Sequence, residues 1–289
     1  HILALTFSEK AAREMMERLE GKTDTTTLTV QTFHAFCLQV LEDNVLDSGL
    51  NFSSGLITRT NQLVWGMRNI DSFGFEAIEI GNNAAGVIES IIDGISAFRD
   101  ELITPDELAE YLREKEAVVT DPDESITLLQ LRDLHKVYVA YEQYKRAGML
   151  LDYDDMISEA VRLFQKKPHI TSRYRSRFTH ILVDEFQDTN YAQFVLLSLL
   201  GGDQLCVVGD DDQTIYRFRG AYAGNMAEFR KRFAAKETLL DQNYRNSGKI
   251  LSVATRLMTH APNRQEKPLV TGNPRGEDVI VAECENDTA

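Results

Sequence analysis

Cysteine is scarce and badly placed for any paired role: Cys37, Cys206 and Cys284 are odd in number and far apart. Neither a disulfide framework nor a zinc site fits that spacing, which points to a reducing, cytoplasmic setting. The six histidines show no paired ligand spacing, so no His/Cys metal site is expected. No apolar run approaches the roughly 18 residues of a membrane-spanning helix, and no signal sequence opens the chain. Internal repeats and low-complexity stretches are also missing, which excludes solenoids and compositionally disordered chains. What remains is an ordinary globular composition, 43% hydrophobic and 26% charged over 289 residues. That length suggests about two domains with a sizeable core.

The formal net charge of -14, taken as one number, argues against nucleic acid. Its distribution does not. Residues 69–133 hold 16 acids and 4 bases, so the rest of the chain is close to neutral. The acidic block is not expected to face phosphates closely. Two stretches are basic: Lys166 to Thr179 has five cations and no acid, and Gln213 to Lys236 has six cations against Glu228. Each stretch taken alone also reads as a solvated face or as helix-end charge.

His1-Ile2-Leu3-Ala4-Leu5 is an apolar run with no initiator Met, as expected of a strand in a piece of something longer. A helix capped near Thr6 or Ser8 follows, with Ala12, Met15, Met16 and Leu19 on its apolar face and Gly21 at its end. Leu28 to Gln31 reads as a strand and Thr32 to Leu41 as a helix. From about 52 to 150 the pattern is helical without strand alternation, an all-α insertion. It includes a capping box at Thr104-Pro105-Asp106-Glu107 and a long helix from Glu124 to Ala147, stopped by Gly148. Beyond 150, strands are expected at Thr179–Val183, Leu205–Val208, Thr238–Leu240 and Asp278–Ala282. Helices are expected at Thr189–Leu200 and Ser247–His260. Strands alternating with helices imply an α/β fold with a mostly parallel sheet.

The apolar strand Ile181-Leu182-Val183 ends in Asp184-Glu185-Phe186-Gln187-Asp188. Ligands of open α/β sheets collect at the carboxyl ends of strands. Two adjacent acids there repel unless used, and one holding magnesium while the other orients or deprotonates a water is the natural use. A charged strand-to-helix turn is the plainer alternative. The next strand, Leu205 to Val208, ends in Gly209-Asp210-Asp211-Asp212-Gln213, whose amide can sense a γ-phosphate or position a water. Tyr216-Arg217-Phe218-Arg219 interleaves aromatics with cations, suiting unpaired bases and phosphates, although an amphipathic strand would look the same. Gln242-Asn243-Tyr244-Arg245 offers a phosphate fork beside a ring able to stack on a purine. Phe7 and Ser8, then Thr32, Phe33 and His34, follow strands and read equally as capping and core packing.

In this order, the segments resemble the UvrD/Rep/PcrA family of superfamily 1 DNA helicases. Thr6 to Ala12 resembles motif Ia, Thr32 to Phe36 motif Ib, Asp184 to Asn190 motif II, Gly209 to Ala221 motif III and Gln242 to Arg245 motif IV. Leu151-Asp152-Tyr153-Asp154-Asp155-Met156 resembles the segment by which the family's chain re-enters its motor domain. The resemblance implies a RecA-like domain of the P-loop NTPase type, using ATP and Mg2+. In it Asp184 coordinates magnesium, Glu185 activates the attacking water and Gln213 contacts the γ-phosphate. Arg245 stabilises the transferring phosphoryl group and Tyr244 stacks on adenine. Phe7, Tyr216 and Phe218 line a single-strand track, with Thr32 and His34 near its backbone.

The implied organisation is a motor domain at 1–50 and 151–270, an all-α accessory insertion at 51–150, and the start of a second motor domain at 271–289. The implied activity is a 3′-to-5′ ATP-dependent helicase and single-strand translocase acting at single-strand/duplex junctions in repair or replication, with no membrane partner. The motor of a recombination helicase-nuclease, or a non-hydrolysing nucleic-acid-binding module, are the alternatives. Departures are also present. The family's Gly-rich phosphate loop and its motifs V and VI do not occur in these 289 residues, so the chain alone is expected to be inactive. Ser8-Glu9 replaces the commoner Thr-Asn, and Phe218 stands where Trp is usual.

Overall fold

Apolar runs that end in hydroxyl or acidic residues dictate the first architecture seen in the computed structural model, which describes residues 1–50, 55–214, 224–260 and 267–280. The chain begins β1 (Ile2–Thr6), α1 (Glu9–Leu19), β2 (Leu28–Thr32), α2 (Phe33–Glu42) and α3 (Val45–Ser48). A largely helical stretch follows: β3 (Leu56–Ile57), α4 (Arg59–Asn69), α5 (Ala84–Asp100), α6 (Pro105–Glu116) and α7 (Pro122–Gly148). Then come β4 (Leu151–Asp152), α8 (Asp155–Lys166), α9 (Pro168–Arg177), β5 (His180–Val183), α10 (Tyr191–Leu200) and β6 (Leu205–Val207). The last described elements are α11 (Asn225–Phe233), β7 (Gln242–Asn243), α12 (Gly248–Met258) and β8 (Val270–Thr271).

Two compact units are drawn from these residues, one from His1–Gly209 with Thr214–Asn225, the other from Asp210–Gln213 with Met226–Ala289. The first unit holds a four-stranded sheet in the order β2-β1-β5-β6, every pairing parallel. This is an α/β fold with a parallel sheet among helices. Leu3, Leu5, Ile181 and Val183 are sealed inside it. α8 supplies a strongly one-sided face, with Met156, Ile157, Ala160, Val161, Leu163 and Phe164 all buried. It packs against α2 and α10.

The helical stretch has its own core of Trp65, Ile88, Ile91, Ile92, Ile95, Leu112, Val137 and Tyr141. Its entry and exit run side by side, because β3 pairs with β4 in parallel, Leu56 opposite Leu151 and Ile57 opposite Asp152. At that exit lies a buried ionic cluster. Arg99 bonds Asp152 at 2.6 Å and also reaches Glu142, while Lys145 bonds Asp155 at 2.5 Å and Glu142 at 2.9 Å. Tyr141 donates to Asp152 at 2.9 Å. Burial would raise the Asp152 pKa, but Arg99 and Lys145 hold it well below the usual carboxylate range. Removing one member of such a cluster costs about 3–5 kcal/mol, because a charge is left buried without its partner. Asp133 closes the same stretch differently: fully buried, it accepts the N–H groups of Glu76, Ala77 and Ile78 at 2.8, 2.8 and 3.1 Å.

Several elements differ from expectation. The stretch 52–150 is not free of strands, since β3 lies within it; two residues are too few to show alternation. The long helix begins at Pro122 because Asp121 caps it, accepting from Asp123 and Glu124, and Met149 rather than Gly148 takes the left-handed capping position. α10 starts at Tyr191, after a 3-10 turn at Phe186–Asp188 and an Asn190/Gln193 capping box. Thr238–Leu240 is not a strand, and Leu240 is 74% exposed, so no sheet face claims it. In the second unit the pairing is instead β7 with β8, parallel. Residues 278–280 are not strand, and 281–282 lie outside the described residues.

Candidate functional site

Because all four strands of the main sheet run the same way, their carboxyl ends share one edge. Across that edge stand Thr32 at the end of β2 with His34 just beyond it, Phe7 and Ser8 after β1, Asp184 and Glu185 after β5, and Gly209 after β6. The acidic pair is tied to the sheet on both sides. The Asp184 N–H donates to Leu5 O at 3.0 Å, and the Phe186 N–H to Val208 O at 2.9 Å. Between them Glu185 adopts φ 51° and ψ 44°, a left-handed conformation that few non-glycine residues take. Strain of that kind persists where neighbours impose it. Here Gln187, itself buried, donates from Nε2 to Glu185 Oε2 at 2.7 Å, while the Glu185 side chain stays exposed.

Gly209 completes the arrangement. A Cβ there would lie 2.7 Å from Gln187 Oε1 and 3.2 Å from the Gln187 backbone N, so any larger residue would force Gln187 to shift. Partial burial raises the Asp184 pKa, and the neighbouring Glu185 charge raises it further. Burial and Glu185 do the same to Asp188, whose Oδ1 is buried with no hydrogen-bond partner among the described residues. These acids are therefore short of positive charge. Among the described residues no group of three or more His, Cys, Asp or Glu forms a cage for a metal ion. The donor set suits Mg2+ shared with a ligand's phosphates, the usual mode for that ion, better than a metal held by protein alone.

Toward β2 the character changes. Phe7 is 44% exposed at the start of the β1–α1 connection, where Ser8 caps α1 by accepting from Ala11 N at 3.2 Å. Thr32 is buried and caps α2, accepting from Ala35 N at 3.2 Å. His34 stacks on Tyr153, ring centroids 4.0 Å apart and planes 23° from parallel. Burial lowers the His34 pKa to about 4, so the ring is neutral near pH 7. Tyr153 is 56% exposed, presenting an aromatic face beside this edge. Tyr153 was not among the site residues read from the sequence; the signal available was a tyrosine inside the segment 151–156.

Gln213, Tyr244 and Arg245 belong to the second unit. Gln213 Nε2 donates to Asp210 at 2.7 Å, and Lys267 reaches Asp210, Asp211 and Asp212. Tyr244 is 82% exposed. The loop carrying it is pinned by Asn243 Oδ1, which accepts from Arg245 N at 3.1 Å and Asn246 N at 2.8 Å, and by Asn273 Nδ2, which donates to Tyr244 O at 2.9 Å. Arg245 is exposed and has no ion-pair partner among the described residues. Tyr216 and Phe218 lie outside the described residues.

Comparison with known proteins adds to this geometry. Residues 1–234 match the family model described as the UvrD/REP helicase N-terminal domain. Over its whole length the chain is 37% identical to the ATP-dependent DNA helicase UvrD1 of Mycobacterium tuberculosis. Over 99% of its length it is 33% identical to the ATP-dependent DNA helicase PcrA of Bacillus subtilis, and over 96% it is 34% identical to PcrA of Staphylococcus aureus. The chain spans 37%, 37% and 36% of those three proteins.

Proposed function

The chain belongs to the UvrD/REP helicase family, and from that premise we propose that it forms part of an ATP-driven 3′-to-5′ DNA helicase and single-strand translocase working in repair or replication. Residues 1–50 and 151–270 are its first motor domain, 51–150 an accessory insertion and 271–289 the start of a second motor domain. Its setting is the cytoplasm and its substrate a single strand at a junction with duplex. The observation that carries the reading is the Asp184-Glu185 pair at the carboxyl end of β5, with Glu185 held in a left-handed conformation beside Gln187.

Mg-ATP supplies the energy of phosphoryl transfer when bound. Asp184 would hold the ion. Glu185, exposed and oriented by Gln187, accepts the proton of the attacking water. By the family resemblance, Gln213 would contact the γ-phosphate, Arg245 would offset charge on the transferring group and Tyr244 would stack on adenine. Phe7 and Tyr153, with Tyr216 and Phe218, stack on bases, while neutral His34 and Thr32 contact the strand by hydrogen bonds rather than charge. In the full-length protein, Glu185→Gln should keep nucleotide affinity and lose at least about 100-fold in single-strand-stimulated ATPase. Arg245→Ala should also lower turnover steeply, within the roughly 10³–10⁵ attributed to such arginines. Wild-type turnover by the Gln variant would refute the assignment.

A further inference from the structure

The carboxyl edge uses little of the chain's positive charge. Five cations, Arg162, Lys166, Lys167, Arg173 and Arg177, sit along a seam where the end of α2 and α3 meet α8 and α9. On α9, His169, Arg173 and Arg177 are spaced i, i+4, i+8, one ridge about 12 Å long. All three are exposed, while Ile170, Thr171 and Tyr174 on the other face are buried. Two clefts follow the seam. One, of about 260 Å³, is lined by Asp43, Arg173, Tyr174 and Arg177. The other, of about 80 Å³, includes Asp47, Glu159, Arg162, Lys166 and Lys167.

Local acids satisfy only part of this charge. Lys167 pairs with Asp47 at 3.0 Å and Arg162 with Glu159. Among the described residues no carboxylate lies within 4.0 Å of the side-chain nitrogens of Lys166, Arg173 or Arg177. The two arginines are nevertheless positioned. Arg173 lies 5.6 Å from the centre of the Tyr174 ring and donates to Asn44 Oδ1, and Arg177 lies 5.2 Å from the centre of the Phe178 ring. The seam is also remote from the carboxyl edge. α2 leaves that edge at Thr32 and runs about 15 Å before Asp43, and α9 ends where β5 begins, at the amino edge.

We infer that this seam is a second nucleic-acid site, which holds the phosphate backbone of duplex DNA without reading its sequence. Chemistry favours this occupant over two others. A stable protein partner needs an apolar centre, but no large hydrophobic side chain between residues 154 and 178 is exposed, and the seam's exposed apolar surface is confined to two adjacent residues of α3, Val45 and Leu46. A single strand would need exposed rings for its bases, and Tyr174 and Phe178 are 3% and 2% exposed. Cations without stacking platforms suit a backbone whose bases are already paired. The inference goes beyond the motor assignment and does not use Asp184 or Glu185.

The test uses the full-length protein with Arg173→Gln/Arg177→Gln and, separately, Lys166→Gln; all three side chains are exposed. Binding is measured for a blunt duplex and for a single-stranded oligonucleotide across a salt series. Each phosphate contact contributes nearly one unit to the salt slope. The double variant should flatten the blunt-duplex slope by about 2 and weaken binding about 10- to 100-fold at roughly 0.1 M salt. Lys166→Gln should flatten the slope by about 1. Single-strand affinity and single-strand-stimulated ATPase should stay at wild-type values. Unchanged duplex slopes in both variants, or equal losses for duplex and single strand, would overturn the inference. So would polyglutamate of matched charge outcompeting the duplex for the wild type and losing affinity in the double variant.

Discussion

At the scale of single residues, the acidic pair was legible because an apolar strand ending in Asp184-Glu185 places two like charges at a ligand-collecting edge. The support for Glu185 was not. Its left-handed backbone and its bond to Gln187 depend on β6 passing beside the turn, which no local pattern reports. The His34–Tyr153 stack was hidden for the same reason, since its rings come from segments far apart in the chain. Gly209 exposes this dependence to experiment. Gly209→Ala would put a methyl 2.7 Å from Gln187 Oε1 and 3.2 Å from its backbone N. The side chain can move, but the backbone yields less readily, so Gln187 should lose its grip on Glu185. The variant should be about 1–3 kcal/mol less stable, as overpacked sites usually are, and ATP turnover in the full-length protein should fall more than nucleotide affinity. Thermal melts and a KM-against-kcat comparison measure both. Unchanged kcat would mean that Gln187 does not orient Glu185.

Among the elements, β1, β5 and β6 were legible because each is an apolar run ended by residues that cap or turn, and β2 because Leu28-Thr29-Val30-Gln31 alternates apolar with polar residues before the cap at Thr32. β3, β7 and β8 were not, because a strand of two residues exists only through its partner. Thr238–Leu240 has the composition of a strand without a neighbour to pair with. Contacts between elements were the least legible, and Asp100 is a case with a measurable consequence. It ends α5, accepts a bond from Asn190 Nδ2 at 2.6 Å, and so joins the helical stretch to the cap of α10 just after the acidic turn. Burial first, then the charges of Asp154 and Glu101, raise its pKa to about 7 against the Asn190 bond that lowers it. A raised carboxyl stabilises the fold while protonated, below its unfolded value near 3.8. That stabilisation is lost as pH rises toward 7. Asp100→Asn removes the titration and keeps an acceptor for Asn190. It should therefore gain roughly 1–3 kcal/mol relative to the parent on going from pH 5 to pH 8. Denaturant unfolding at the two pH values reads this out, and a difference that does not change with pH would remove the proposed cause.

For the whole molecule, net charge was the least informative number and its distribution among the most informative. A total of -14 hides an acidic block at residues 69–133 and a basic run at 166–179, and the structure puts them on different elements. Much of the acidic block is committed to the helical stretch itself. Asp133 closes a loop of backbone donors, and Glu107 and Asp121 cap helices. Asp100 is partly buried against Asn190, and Glu76, Asp93 and Glu116 pair with Lys136, Arg59 and Arg132. The other acids face solvent, where they repel a phosphate chain at close range. Arg113 and Lys115 at the end of α6 are a local exception, with Lys115 lying 5.6 Å from the centre of the Tyr111 ring. A single strand following the protein should therefore pass along the carboxyl edge, past Phe7 and Tyr153, and avoid residues 69–133 along their length. Photo-crosslinking the full-length protein to a single-stranded oligonucleotide checks this directly. Peptides containing Phe7 and Tyr153 should carry the label, and raising salt should weaken binding without moving the label. A single strand crosslinked mainly within residues 69–133 would mean that the acidic helices neutralise their charge in some other way and that the track has been placed on the wrong face.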